Sequence, residues 1–183
     1  MLLDQLSYLT QQRDGSQPIW RQIVSLRKKS YNAAFLTRKF FPTLILLLGH
    51  FPDIAIHIAG DPSQVNRLHN FALALKTAGL KKITIEPPLL LSDFIQTIAE
   101  ARLVLTVDTG TAHMACAVES PAVIICSGNQ TGVWVPYSKN GLQKWLTPPD
   151  DLPKGEWRKY FSPSKVADSI LEILAKSKSA ARI

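Results

Sequence analysis

Cysteine is nearly absent from this chain of 183 residues: only Cys116 and Cys126 occur, both inside apolar runs and neither beside a cluster of ligand-type side chains. This argues against a disulfide framework or a zinc site and favours reduced thiols packed as small core residues. Long hydrophobic runs are missing too. The longest, around residues 44–48 (LILLL), falls far short of the roughly 20 residues that cross a bilayer, and the first residues lack the basic-then-apolar order of a signal peptide. A cytoplasmic setting is expected, with peripheral attachment at the inner face of the membrane as the form of membrane association to consider. No G-x-G-x-x-G follows any strand-like run, which disfavours a dinucleotide-dependent oxidoreductase. Aromatic and basic residues are not interleaved, so nucleic-acid binding has only net charge to support it, and no nucleic-acid partner is expected. His50, His57 and His69 show no metal-ligand spacing, and no metal is expected. Acidic residues are the scarcer charge, 14 against 21 Lys and Arg, for a formal charge of +7. The excess is diffuse, lying mainly at residues 27–29, 38–39 and from 154 onward, and reads first as solvated surface.

What is present is enough for one well-buried domain: 46% of residues are hydrophobic and 19% charged, a globular balance. From residue 50 onward, short β-rich runs alternate with helical stretches, which predicts an α/β fold with a Rossmann-like parallel sheet and flanking helices. Strands are expected at residues 54–59, 82–86, 103–107 and 121–126. LVLTV at 103–107 is apolar throughout, as a strand buried on both faces must be. Asp61-Pro62-Ser63-Gln64 reads as a helix start, with Asp61 as N-cap, Pro62 in the first turn and Gln64 completing a capping box. Gly79 reads as the stop of that helix, and Ser92 as the cap of the next. A short helix is expected over residues 111–118 and a last one from Ser162-Pro163. Residues 127–162, rich in Gly, Pro and Trp, read as irregular. Residues 1–49 suggest a helix near 18–29 and a strand near 31–36. The expected division is a partial N-terminal segment at 1–49, a ligand-binding Rossmann-like domain at 50–176 and a frayed tail at 177–183.

The stretch VDTGTAHMACA at residues 107–117 carries the chemistry. It places Asp108, Thr109, Gly110, Thr111 and His113 where a buried strand gives way to a helix. In open parallel sheets ligands lie beyond the carboxyl ends of strands, and the free N–H groups of a helix start converge with the positive end of its dipole on an anion. Thr109, Gly110 and Thr111 are candidates to cradle a phosphate. Gly110 lets the ligand approach the backbone, His113 can add a donor, and Asp108 suits a sugar hydroxyl. The plainer alternative is that Asp108 or Thr109 caps the helix and Gly110 makes the turn.

The run LSDFIQTIAEARLVLTVDTGTAHMACAVESP, residues 91–121, resembles the C-terminal domain of glycosyltransferase family nine, the ADP-heptose:lipopolysaccharide heptosyltransferases and their relatives. Asp-Thr-Gly, then His-x-Ala-x-Ala, then Pro at the next strand is the specific part. The likeness extends upstream to IAIHIAGDP and downstream to Ser127-Gly128-Asn129 and Trp134-Val135-Pro136-Tyr137. It implies the C-terminal half of a GT-B fold, with the nucleoside-diphosphate sugar as donor substrate and no further cofactor or metal. By the same resemblance Thr109, Gly110 and Thr111 would hold the donor pyrophosphate, Asp108 would face the donor sugar and His113 would support the phosphate. The donor site would also draw on Gly60 and on Gln64 or Asp61, where the family usually has an acidic residue for the ribose. Lys39-Phe40-Phe41-Pro42 has the spacing of a Lys-x-Trp-Pro-like phosphate motif, although residues 19–49 also resemble part of the family's acceptor domain, which would leave Lys39 without that role.

The resemblance implies transfer of a sugar to a lipopolysaccharide or other glycan acceptor, a glycolipid or polysaccharide, with inversion. Most of the acceptor domain is expected to lie outside this chain, including the carboxylate that would act as general base, so a separate chain supplying it is one expected partner and the catalytic residues stay unknown. The competing expectation is a truncated relative that binds a nucleotide sugar without turnover. For Trp134 and Tyr137, packing against the sheet edge competes with stacking on a base or sugar.

Overall fold

The computed structural model describes residues 21–26, 33–126, 140–149, 151–152 and 160–180. In chain order these form β1 (Arg21–Leu26), α1 (Ala33–His50), β2 (Ala55–Gly60), a 3-10 turn (Pro62–Gln64), α2 (Val65–Thr77), β3 (Lys82–Ile85), α3 (Leu91–Glu100), β4 (Leu103–Val107), α4 (Gly110–Ala117), β5 (Ala122–Ile125), β6 (Gln143–Leu146) and α5 (Pro163–Ala180). The strands make one six-stranded sheet ordered β3-β2-β1-β4-β5-β6, and every pairing is parallel.

Alternation along the central strands sends side chains to two separate cores. Leu103, Leu105 and Val107 of β4 meet Phe40, Leu44 and Leu47 of α1, Phe71 and Leu75 of α2, and Ile170 and Leu174 of α5. Val104 of β4 and Ile124 of β5 face the other way, against Ile98 of α3 and Ala112 and Ala115 of α4. The two alanines let α4 lie close to the sheet. The expected burial of β4 on both faces is what the structure has.

The strand order places the ligand region. The chain builds outward from β1 through β2 to β3, then returns and builds the opposite way from β4 through β5 to β6. The helices that leave β1 and β4 therefore pass to opposite faces, α1 to one and α4 to the other. A crevice opens between the carboxyl ends of two such neighbouring strands, the usual ligand position in this sheet order.

Three expectations for residues 1–49 are corrected. Residues 21–26 form a strand where a helix near 18–29 was expected, and the strand expected near 31–36 gives way to a helix over 33–50. The boundary at 49/50 does not hold either, because β1 pairs with both β2 and β4 in the middle of the sheet. Pairing with two neighbours overrides local propensity here. Pro42 inside α1 costs such a helix about 3 kcal/mol. Phe40, Leu44 and Leu47 are fully buried on one stripe, each stabilising by about 1.5–3 kcal/mol, so packing wins. The buried Thr43 hydroxyl donates to the Lys39 carbonyl at 2.7 Å and occupies part of the disturbed turn.

Other departures are smaller. β6 lies inside the span read as irregular, and α5 continues through Ala180, past the expected start of a frayed tail. Leu90, not Ser92, is the N-cap of α3. Gly79 does end α2: it takes φ 102, with Leu80 N–H donating to the Leu75 carbonyl and Gly79 N–H to that of Lys76. That is the left-handed closing turn glycine suits best.

Candidate functional site

β4 delivers the cluster. Its last residue, Val107, is fully buried, and the next, Asp108, is still tied to the sheet by its N–H donating to the Ile125 carbonyl at 3.0 Å. Thr109 then takes extended φ −150 and ψ 178 as the N-cap of α4, and its side chain makes no capping hydrogen bond. The capping reading of Thr109 thereby loses its hydrogen bond. The Thr109 hydroxyl is buried and has no hydrogen-bond partner, which costs about 1–3 kcal/mol in an unliganded protein. Gly110 is exposed. A Cβ built there would have only Met114 Cε nearby, at 3.8 Å, so the chain itself leaves that side open. Thr111 is buried at 6% exposure.

His113 stands half-buried one turn into α4, its ring centroid 6.4 Å from that of Trp145 and tilted by 59°. Sequence reasoning missed Trp145, which sits on the unrecognised β6. Cys126 ends the neighbouring strand; burial, and after it the Asp108 charge, push its thiol up to about 12. Burial pushes the Cys116 thiol up to about 11, with the Trp145 indole acting weakly the other way, although that indole N–H completes no hydrogen bond. Both thiols are thus protonated at neutral pH, Cys126 buried in the core as expected and Cys116 only half-buried.

The remaining candidates lie at different removes. Gly60 closes β2 in register with Leu26, the last residue of β1, so it shares the carboxyl edge with Asp108 two strand spacings away, about 10 Å. Asp61 caps the turn that follows, accepting from Ser63 N–H at 2.8 Å and from the Ser63 hydroxyl, with Pro62 in the first turn. Gln64 is folded inward at 6% exposure. Lys39 lies inside α1, the helix on the opposite sheet face from α4, and is not part of the Asp108 cluster. Residues 127–137, with the SGN and WVPY segments, lie outside the described residues. Among the described residues no group of three or more His, Cys, Asp or Glu side chains is placed to hold a metal ion. No helix among them is long and apolar enough to cross a membrane.

One clear pair outside this cluster is His57 with Glu86, which bond through Nδ1 and Oε1 between β2 and the end of β3, both largely buried. The strand alternation gave no hint of that partner.

The profile of glycosyltransferase family 9 (heptosyltransferase) matches residues 52–157. No curated protein sequence matches the chain. Among solved structures it is similar to the E. coli heptosyltransferase WaaC with ADP-2-deoxy-2-fluoro heptose, at a TM-score of 0.64 and 20% identity over 91% of this chain and 47% of that one. It is similar to E. coli ADP-heptose lps heptosyltransferase II, at 0.70 and 13% over 96% and 52%. A glycosyl transferase family 9 protein from Veillonella parvula gives 0.63 and 14% over 95% and 51%. At these identities the likeness is one of fold, and the chain spans about half the length of these proteins.

Proposed function

Because the chain belongs to glycosyltransferase family 9, we propose that its α4 crevice holds the donor of a heptosyltransferase-like reaction, a nucleoside-diphosphate sugar passed to a lipopolysaccharide or related glycan acceptor. One observation carries this reading: α4 opens at the switch point of the sheet with no capping bond from its N-cap side chain, the Thr109 hydroxyl being buried and unpartnered among the described residues. The Thr109 hydroxyl in that state can donate to an acceptor, and a diphosphate oxygen at a helix start is one that suits it. Solved relatives of this fold carry ADP or an ADP-sugar analogue, which favours the same ligand class here.

In the proposed complex the Thr109 hydroxyl and the Gly110 N–H donate to the donor's diphosphate, and the helix dipole adds its positive end. Negative charge grows on that diphosphate as the glycosidic bond to it breaks. Donors already aimed at the growing charge stabilise it without reorganising, which lowers the barrier. His113 leans back over the first turn, as helical side chains do, and supplies a further donor to the phosphate. Asp108 accepts from a hydroxyl of the donor sugar and fixes which face of the anomeric carbon is presented. Gly60 and Gln64, one strand beyond β1, border the nucleoside end. The acceptor hydroxyl must attack from the opposite side, inverting the anomeric centre. The group that deprotonates it belongs to the acceptor half of a GT-B enzyme, in the same longer protein or in a partner chain. Membrane attachment and a cytoplasmic location fit such an acceptor, and no metal is needed when backbone dipoles and His113 bear the phosphate charge.

Calorimetric titration and thermal unfolding with ADP and with GDP test this. Saturable heat, a raised Tm and no change on adding EDTA are expected. Gly110→Ala should leave the unliganded Tm within a degree or two, since the added Cβ meets only Met114 Cε among the described residues, at an ordinary contact distance of 3.8 Å. It should weaken the nucleotide roughly tenfold or more, because the methyl keeps the diphosphate from approaching the Gly110 N–H and so costs a hydrogen bond to a charged group. A folded chain that gives neither heat nor shift with any nucleoside diphosphate would overturn the donor-site reading.

A further inference from the structure

Among the described residues Trp145 is the aromatic side chain paired with His113, and its placement is specific. β6 pairs in parallel with β5 so that Trp145 is in register with Ile124. Ile124 points into the core beneath α4, and Trp145 packs against the edge of that same core. The indole therefore fills the angle between β6 and α4. It meets His113 at a centroid distance of 6.4 Å and a tilt of 59°, inside the range favoured by aromatic pairs. It also neighbours Cys116, three residues further along the same side of α4. Two consecutive turns of the helix thus rest on one indole. Its N–H is buried and completes no hydrogen bond of good geometry, so the ring's packing, tilted against the imidazole, is what the indole contributes at this position.

We propose that Trp145 is a positioning residue for His113: it closes the β6 side of the imidazole and leaves the ring ordered over the first turn of α4, facing the phosphate site. This rests on the donor-site reading above. A side chain already held in its binding rotamer avoids the ordering cost on ligand binding, a factor of roughly two- to tenfold in affinity. Trp145 itself touches no donor atom in this scheme and acts only through His113.

The test combines a mutant cycle with a ligand-free readout. ADP affinity is measured by calorimetry for the wild-type chain, Trp145→Leu, Trp145→Phe, His113→Ala and the double variant His113→Ala/Trp145→Leu. Trp145→Leu should lose roughly two- to tenfold in ADP affinity. Trp145→Phe, which keeps a flat ring and removes the unsatisfied N–H, should restore most of it. In the His113→Ala background Trp145→Leu should cost nothing further. Equal losses from Trp145→Leu with and without His113 would overturn the proposal while leaving the donor site standing. The second readout needs no nucleotide. The His113 ring protons, identified by their loss in His113→Ala, should be displaced by the indole ring current in the wild-type chain and should move in Trp145→Phe. Unmoved resonances would overturn the proposal, including in the case where Trp145→Leu fails to fold. A wild-type chain that binds no ADP but shows the ring-current displacement would sink the donor reading alone.

Discussion

Thr109 buries a hydroxyl that finds no partner, at a backbone conformation of φ −150 and ψ 178 that suits a β-branched residue of any polarity. Valine has nearly the same shape and no polar atom to desolvate. Thr109→Val should therefore stabilise the unliganded chain by about 1 kcal/mol and at the same time reduce the stabilisation gained from ADP. Urea unfolding with and without the nucleotide measures both at once. A variant less stable than the parent without ligand would mean that the hydroxyl is satisfied and the helix start is capped after all. The residue types of this site were legible in the sequence because they are contiguous: a carboxylate, two hydroxyls, a glycine and a histidine follow a wholly apolar run, and the covalent chain alone brings them together. Trp145 was not legible. Its contact with His113 joins residues far apart in the chain, and spacing along the chain carries no trace of it.

The elements divide in the same way. β2, β3, β4 and β5 were readable because each is a short β-branched or apolar run ended by Gly, Pro or a helix start. β6, with the sequence QKWL, has one strongly β-favouring residue and takes its conformation from pairing with β5. α1 was obscured by Pro42, whose local penalty is outweighed by the buried stripe of Phe40, Leu44 and Leu47. The turn after α4 holds a further case in which context overrides propensity. Ser120 N–H donates to the Ala115 carbonyl and Glu119 N–H to that of Cys116, the same closing turn that follows α2. Here the left-handed position is filled by Glu119 at φ 56, where a side chain costs on the order of 1 kcal/mol. The buried Ser120 hydroxyl donates to the Ile98 carbonyl, and Gln143 donates to the Ser120 carbonyl. This turn therefore ties α3, β5 and β6 together and cannot relax. Glu119→Gly should raise Tm by roughly 2–4 °C, since the Asn140 bond to residue 119 uses its backbone carbonyl and survives. An unchanged or lower Tm in a calorimetric scan would show that the carboxylate contributes more than the strained backbone costs.

For the whole molecule, the sheet order sets both the crevice and the chemistry of what lines its floor. Parallel strands were predictable from alternation, but the central place of β1 was not, because nothing local says which strands become neighbours. That position joins β2 and β4 through β1, while the pairing of β4 with β5 puts their ends side by side, with Asp108 near Cys126. Burial and that carboxylate push the Cys126 thiol from 9.0 to about 12, and burial pushes Cys116 from 9.0 to about 11. Below pH 9 both thiols are protonated in the folded and unfolded chains alike, and their contribution to stability is fully present. Above pH 9 the unfolded chain releases protons that the folded chain retains, so this contribution falls steadily until the folded thiols ionise near pH 11 to 12. At about 1.4 kcal/mol for each pH unit and each thiol, the loss amounts to a few kcal/mol. Unfolding free energies compared at pH 8 and pH 10.5 should show it, and a Cys116→Ala/Cys126→Ala chain, less stable at pH 8 for want of packing, should show a flatter decline over the same interval. An identical slope in that variant would mean that the alkaline transition belongs to lysine and tyrosine ionisation and that the two thiols ionise no later folded than unfolded.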